Sequence, residues 1–286
     1  MNANKVLACV DQSRFADYVA DYAAWSARRL RAPLEFLHVI DRHPEIGTGE
    51  DHSGAIGVSA QENLLTELTE KDAAAAKSAR EQGRVFLNRL RERAAAAGAA
   101  SIDVRQRHGS LEETLAELEN TVELFVLGRR GQSANTTQRD LGRNVERIVR
   151  SLQRPILTVT EGFNPPERAL IAFDGSGATR RGVEFVAGSP LFAGMPVHIV
   201  MSGEKSGGSS KPLDWARGIL ESAGISCTVA LVPGDAEGVI ARAVREHGID
   251  VLIMGAYTHS RLRSLLFGSK TSDLLRSSKI PTLLIR

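Results

Sequence analysis

Between Gly255 and Ser269 the chain reads GAYTHSRLRSLLFGS. A glycine ends one apolar run, and a Gly-Ser pair opens an amphipathic one. This arrangement suits an anion. A glycine at a strand end lets the backbone turn and lets a ligand approach with no Cβ in the way. Gly268 and Ser269 stand at a helix start, where unpaired N–H groups and the positive dipole end attract negative charge. Ser269 is also a good N-cap. The run GSKT resembles a P-loop only superficially, because the order Gly-Lys-Ser/Thr is absent, and no GxGxxG follows the candidate first strands. Asp174 ends another apolar run, ALIAFDGS, and its carboxylate could accept hydrogen bonds from a ribose or a base edge. An Asp and a Ser after a strand also serve simply to start the next helix. The residues alone leave both readings open.

The elements that must position these groups occur twice. KVLACVDQS (Lys5 to Ser13) matches ALIAFDGS (Ala169 to Ser176), and APLEFLHVI matches MPVHIVMS. VELFVLGRRG matches IDVLIMGAYT, and RPILTV matches IPTLLI, in the same order in both halves. Such self-similarity marks a tandem duplication. It divides the chain into domains at 1–162 and 167–286, with EGFNPPE (161–167) as the linker. Helical patterns lie between the anchors, the first with Ser13 as its expected cap. Each half reads βαβαβαβαβ, which predicts an α/β doubly wound domain, a five-stranded parallel sheet with helices on both faces. Ligands of open parallel sheets bind beyond the carboxyl ends of strands, where strand order reverses. If the first and fourth strands are neighbours, Asp11 shares a crevice with Gly128, and Asp174 with Gly255.

The first half carries an insertion at about 42–79, a polar glycine-rich stretch followed by a long Ala/Arg helix. Tolerated insertion explains it better than a lid. The chain has 286 residues, 42% hydrophobic and 24% charged, as in ordinary globular domains. A net charge of +2 points to neither nucleic acid nor an acidic membrane surface. The cluster Arg28, Arg29 and Arg31 reads as a solvated helix face. Cys9 and Cys227 lie in apolar runs and read as core residues. No signal peptide or membrane-spanning stretch is evident, so a cytoplasmic protein is expected.

On these residues the chain resembles the universal stress proteins in their tandem two-domain form. The family motif is Gly, two residues, Gly, nine residues, Gly, then Ser or Thr, after the fourth strand. Gly255, Gly268 and Ser269 fit it, with Thr258 in place of the second glycine. In the first half Gly128 and Gly131 fit, ten residues precede Gly142, and Arg143 replaces the hydroxyl residue. The resemblance implies flavodoxin-like, Rossmann-like domains that pair through their fifth strands, as an intramolecular pseudo-dimer here, and ATP binding in many members. By position, adenosine would meet Asp174, Ser202 and Met254, or Asp11, Val39 and Leu127. Phosphates would meet Gly255, Thr258, Gly268, Ser269 and the backbone of Lys270, or Gly128, Gly131 and Gly142. Magnesium ligands are not specified, and neither a protein partner nor a further homodimer is legible.

Thr258 disfavours the positive φ that glycine permits, and Arg143 exchanges a hydroxyl for a cation that could still meet a phosphate. The second half is the better site of the two. No Walker-B-like acid follows either fourth strand, and His259 alone is a poor candidate for a base. His38 and His198 lie in strands and read as packed or hydrogen-bonded. The expectation is a stress-response regulatory protein that binds nucleotide without dedicated catalysis. The alternative is an interaction protein with vestigial pockets.

Overall fold

The computed structural model describes residues 4–40, 58–129, 143–203, 211–256 and 280–286, with side chains described outside 58–76 and 143–146. The first half runs β1 (Lys5–Cys9), α1 (Ala16–Leu30), β2 (Leu34–Ile40), α2 (Val58–Ala96), β3 (Ile102–His108), α3 (Leu111–Leu118), β4 (Val122–Gly128), α4 (Arg143–Ser151) and β5 (Ile156–Val159). The second runs β6 (Ala169–Ala172), α5 (Gly177–Gly188), β7 (Val197–Ser202), α6 (Lys211–Ser222), β8 (Cys227–Val232), α7 (Ala236–Glu246), β9 (Val251–Gly255) and β10 (Thr282–Ile285). The last helix expected in the second half lies outside the described residues.

The ten strands of the described residues form one sheet, ordered β3-β2-β1-β4-β5-β10-β9-β6-β7-β8. Within each half every pairing is parallel. The two halves join at β5 and β10, which pair antiparallel with Thr158 opposite Thr282 and Ile156 opposite Leu284. The fifth strands thus meet as the resemblance implies. Because that junction is antiparallel, the carboxyl ends of the two parallel sets lie at opposite rims of the sheet.

One core layer holds α1, α2, α5 and α6 against one face, and the other holds α3, α4 and α7 against the opposite face. Alanines set the spacing at α1, where Ala20, Ala23 and Ala24 are fully buried and let the helix approach the sheet closely. The seam is sealed on the same face. Tyr22 meets Phe163 edge to face at 4.9 Å, and Arg29 donates to the carbonyls of Leu191 and Ala193. Arg29 is therefore an interdomain contact and not a solvated side chain, as its neighbours in sequence had suggested.

Two further expectations are corrected. Ser13 does not cap α1, which begins at Ala16 with no side-chain cap on its first turn. Asp11 draws in the Ser13 N–H at 3.2 Å, and the Ser13 hydroxyl then accepts from Phe15 N, closing a turn before the helix starts. In the second half Ser176 does cap α5, accepting from Thr179 N. Cys9 is buried as expected, but Cys227 is only half-buried, because β8 is an edge strand paired with β7 alone.

The inserted segment is helical from Val58 onward, where α2 has 39 residues and its counterpart α6 has 12. Contact with the domain is made through Leu87, Leu90 and Ala94, all buried. At 1.5 Å per residue, α2 is about 58 Å long.

Candidate functional site

Strand order reverses once in each half, between β1 and β4 and between β6 and β9. The structure therefore brings Asp11 near the end of β4, and Asp174 near the end of β9. The second crevice is the more fully described. Ala172 pairs with Met254 in register, so Asp174 lies two residues beyond the strand whose neighbour ends at Gly255. Gly175 follows with φ +77°, a conformation that favours glycine, and it sits against Pro212 at the start of α6.

Asp174 is engaged by its own helix start. Its Oδ1 accepts from Ser176 N at 2.9 Å and from Thr179 Oγ1 at 2.8 Å. Thr179 was not singled out in the sequence, although the spacing Ser-x-x-Thr from the cap residue offered a hint. Met254 is buried in the core layer that holds α3, α4 and α7. Ser202 donates its hydroxyl to the Gly234 carbonyl, which ties the end of β7 to the loop before α7.

Gly255 has a local reason for its identity. A Cβ there would lie 3.0 Å from the Ala178 Cβ and 3.3 Å from the Thr179 Cγ2. The first turn of α5 seats on it, and no positive φ is involved. Packing of the helix excludes a side chain at this position. Beside this turn, Arg180 stacks on Trp215 with its guanidinium carbon 4.6 Å from the ring centroid, while its Nε donates to the Gly175 carbonyl. Phe173 lies against the same indole. Thr258, Gly268, Ser269 and Lys270 fall outside the described residues.

In the first crevice Asp11 accepts from Ser13 N, Leu127 is buried, and Val39 and Gly128 are partly buried. His38 beside Val39 is also buried, its Nδ1 3.0 Å from the Val10 carbonyl. Gly131 and Gly142 fall outside the described residues, and Arg143 opens α4 with its side chain undescribed. The residue that sequence reading missed is Arg129, directly after Gly128. It is 4% exposed, and its Nη2 donates to Thr282 Oγ1 at 2.9 Å across the seam. Nothing in the run GRR distinguishes this buried arginine from a solvated one.

Burial pushes the Cys9 thiol above its ordinary range, with the nearby Glu35 carboxylate adding to the effect. Among the described residues no group of three or more His, Cys, Asp or Glu side chains could hold a metal ion. Among them, too, no helix is long and apolar enough to cross a membrane.

The sequence profile of the Universal stress protein family matches residues 2–160 and again 166–286. The chain belongs to that family. Its two copies of the family domain stand in tandem. Universal stress protein Slr1230 of Synechocystis sp. is 36% identical over 284 residues, covering 98% of this chain and 99% of the relative. Universal stress protein MJ0577 of Methanocaldococcus jannaschii is 28% identical over 67 residues, 23% of this chain and 41% of the relative. Among solved structures, a universal stress protein from Archaeoglobus fulgidus superimposes with a TM-score of 0.69 at 18% identity, covering 99% of this chain and 96% of that one. That likeness speaks for the fold alone.

Proposed function

We propose that this universal stress protein is a regulatory protein that binds ATP or a related adenine nucleotide in its second half. The observation that carries the reading is the meeting of Asp174 and Gly255 at the point where strand order reverses, beside a helix start. Asp174, Ser202 and Met254 would take the adenosine, and Gly255, Thr258, Gly268, Ser269 and Lys270 the phosphates. The second half is favoured because Arg129, in the glycine loop of the first, is committed to the seam. The protein acts by binding and not by catalysis, in the cytoplasm, through a surface offered to a protein partner.

A second reading, an interaction protein with vestigial pockets, draws support from a specific observation. Asp11 and Asp174 both bond to their own helix-start turns, as purely structural residues would. One experiment separates the two. Millimolar ATP should raise the melting temperature of the native chain, because a ligand stabilises in proportion to occupancy. Mass spectrometry of small molecules released on denaturation should then find adenine nucleotide. Gly268→Trp should abolish the rise. No rise in the parent protein and no released nucleotide would leave the scaffold reading standing alone.

A further inference from the structure

The first half grips β10, the strand that pairs with β9. Arg129 is 4% exposed, and its Nη2 donates to Thr282 Oγ1 at 2.9 Å and to the Ile280 carbonyl at 3.2 Å. Both acceptors lie at the start of β10. Thr282 is itself fully buried, and its carbonyl accepts from Thr158 Oγ1 of β5 at 3.1 Å. At the far end of β10 the Arg286 side chain donates to the Arg150 carbonyl of α4. A strand of four residues is thus gripped from the first half at both ends and along one edge.

The other edge of β10 pairs with β9, the strand that ends at the proposed site. Leu284 pairs with Met254 and Ile285 with Gly255, and the Ile285 carbonyl accepts from Ala256 N at 2.7 Å. Where β10 stands therefore decides where the end of β9 stands. The bridge runs one way. Gly128 and Gly255 end equivalent strands, so the counterpart of Arg129 is Ala256, whose side chain cannot return the contact.

We propose that Arg129 is a positioning residue for the ligand site of the other half. Its planar guanidinium reaches a carbonyl and a hydroxyl at once from a fixed geometry, which a flexible ammonium cannot reproduce. A buried cation tolerates little displacement from its acceptors, so the anchor is stiff. Thr282, which Arg129 holds, pairs with Leu252, so the anchor fixes the start of β10 and acts along that strand on Met254, Gly255 and Ala256 at the opposite rim. The inference rests on the nucleotide reading, and the test keeps the two apart.

ATP affinity is measured by calorimetry in an Asp11→Ala parent, which silences the first crevice, at a temperature where circular dichroism shows every variant folded. Arg129→Leu should weaken binding by about fivefold, the size of coupling carried through packed elements. Arg129→Lys, with one donor restored, should recover part of that loss. Hydrogen exchange of Arg129→Leu should accelerate at residues 251–256 and 282–286 and stay at the parental rate in β1. Affinity within about twofold of the parent, or acceleration spread evenly over both halves, overturns the proposal. So does loss of ATP binding in the Asp11→Ala parent, which would put the ligand in the first half. If the wild-type chain binds no ATP at all, the nucleotide reading falls. The exchange measurement still decides Arg129, since unchanged rates at 251–256 would refute its positioning role.

Discussion

His198 and His247 stack with ring centroids 4.4 Å apart and planes 16° from parallel, joining β7 to the end of α7. The Nδ1 of His198 is 2.7 Å from Thr228 Oγ1 on β8. Arg168, at the entry to β6, is a further charge acting on His198, and it donates to the Gly248 carbonyl. The Asp250 carboxylate nearby accepts from the backbone N–H groups of Glu167 and Arg168. Partial burial holds the His198 pKa below its ordinary value, and His247 and Arg168 depress it further.

A depressed histidine is neutral in the folded chain and more easily protonated in the unfolded one. Its contribution to stability is complete above the ordinary value of 6.5 and declines as pH falls through the folded value. His198 is partly solvated, so screening keeps the effect small. The melting temperature should drop by about 1–2 °C more between pH 7.5 and 5 than in His198→Gln. Equal slopes for the two proteins would show that the imidazole stack is indifferent to charge.

Gly255→Ala should destabilise the second half by about 1–3 kcal/mol, as overpacking does, because the new methyl meets the Ala178 Cβ and the Thr179 side chain at the base of α5. Gly188→Ala is the control. It lies at the end of α5 with nothing within 4 Å of its Cβ position and no positive φ, so it should be neutral or mildly stabilising. Urea midpoints of the two variants give the comparison.

Glu35 is 4% exposed and joins three strands, with Lys5 Nζ at 2.5 Å and Arg105 Nε at 2.6 Å. Glu35→Ala would leave the Lys5 ammonium largely buried without its carboxylate. A loss of about 3 kcal/mol is expected, at the lower end for a broken buried pair because Arg105 remains half in water. Denaturant titration at low and high salt should give similar losses, since a buried pair is poorly screened.

Asp174 and Thr179 separate scaffold from ligand. Thr179→Val removes one hydrogen bond to the carboxylate and should cost about 1 kcal/mol while leaving nucleotide affinity nearly unchanged. Asp174→Ala should cost about 1–2 kcal/mol through the lost turn and should also abolish stabilisation by ATP. Thermal shifts with and without nucleotide read both quantities. If Asp174→Ala responds to ATP as the parent does, the carboxylate belongs to the helix start alone.

The repeated strands were legible because burial on both faces of a parallel sheet writes continuous apolar runs such as VLAC and VLIM. The junction of β5 with β10 was legible only through the family resemblance, since a four-residue apolar strand does not record its neighbour. Ser13 misled because Asp11 and the turn at 12–15 compete for the same donors as a helix cap. Arg29 and Arg129 were unreadable for another reason. An arginine's burial depends on carbonyls that fold against it from more than 150 positions away. At Gly255 the residue was found by pattern, but the close seat of α5 emerged only in three dimensions.

Because the central junction is antiparallel, the two crevices look away from each other. A protein that clasps one mouth leaves its twin open on the far side. Any influence of one rim on the other would have to cross the β5–β10 seam, where Thr158, Thr282 and Arg129 meet.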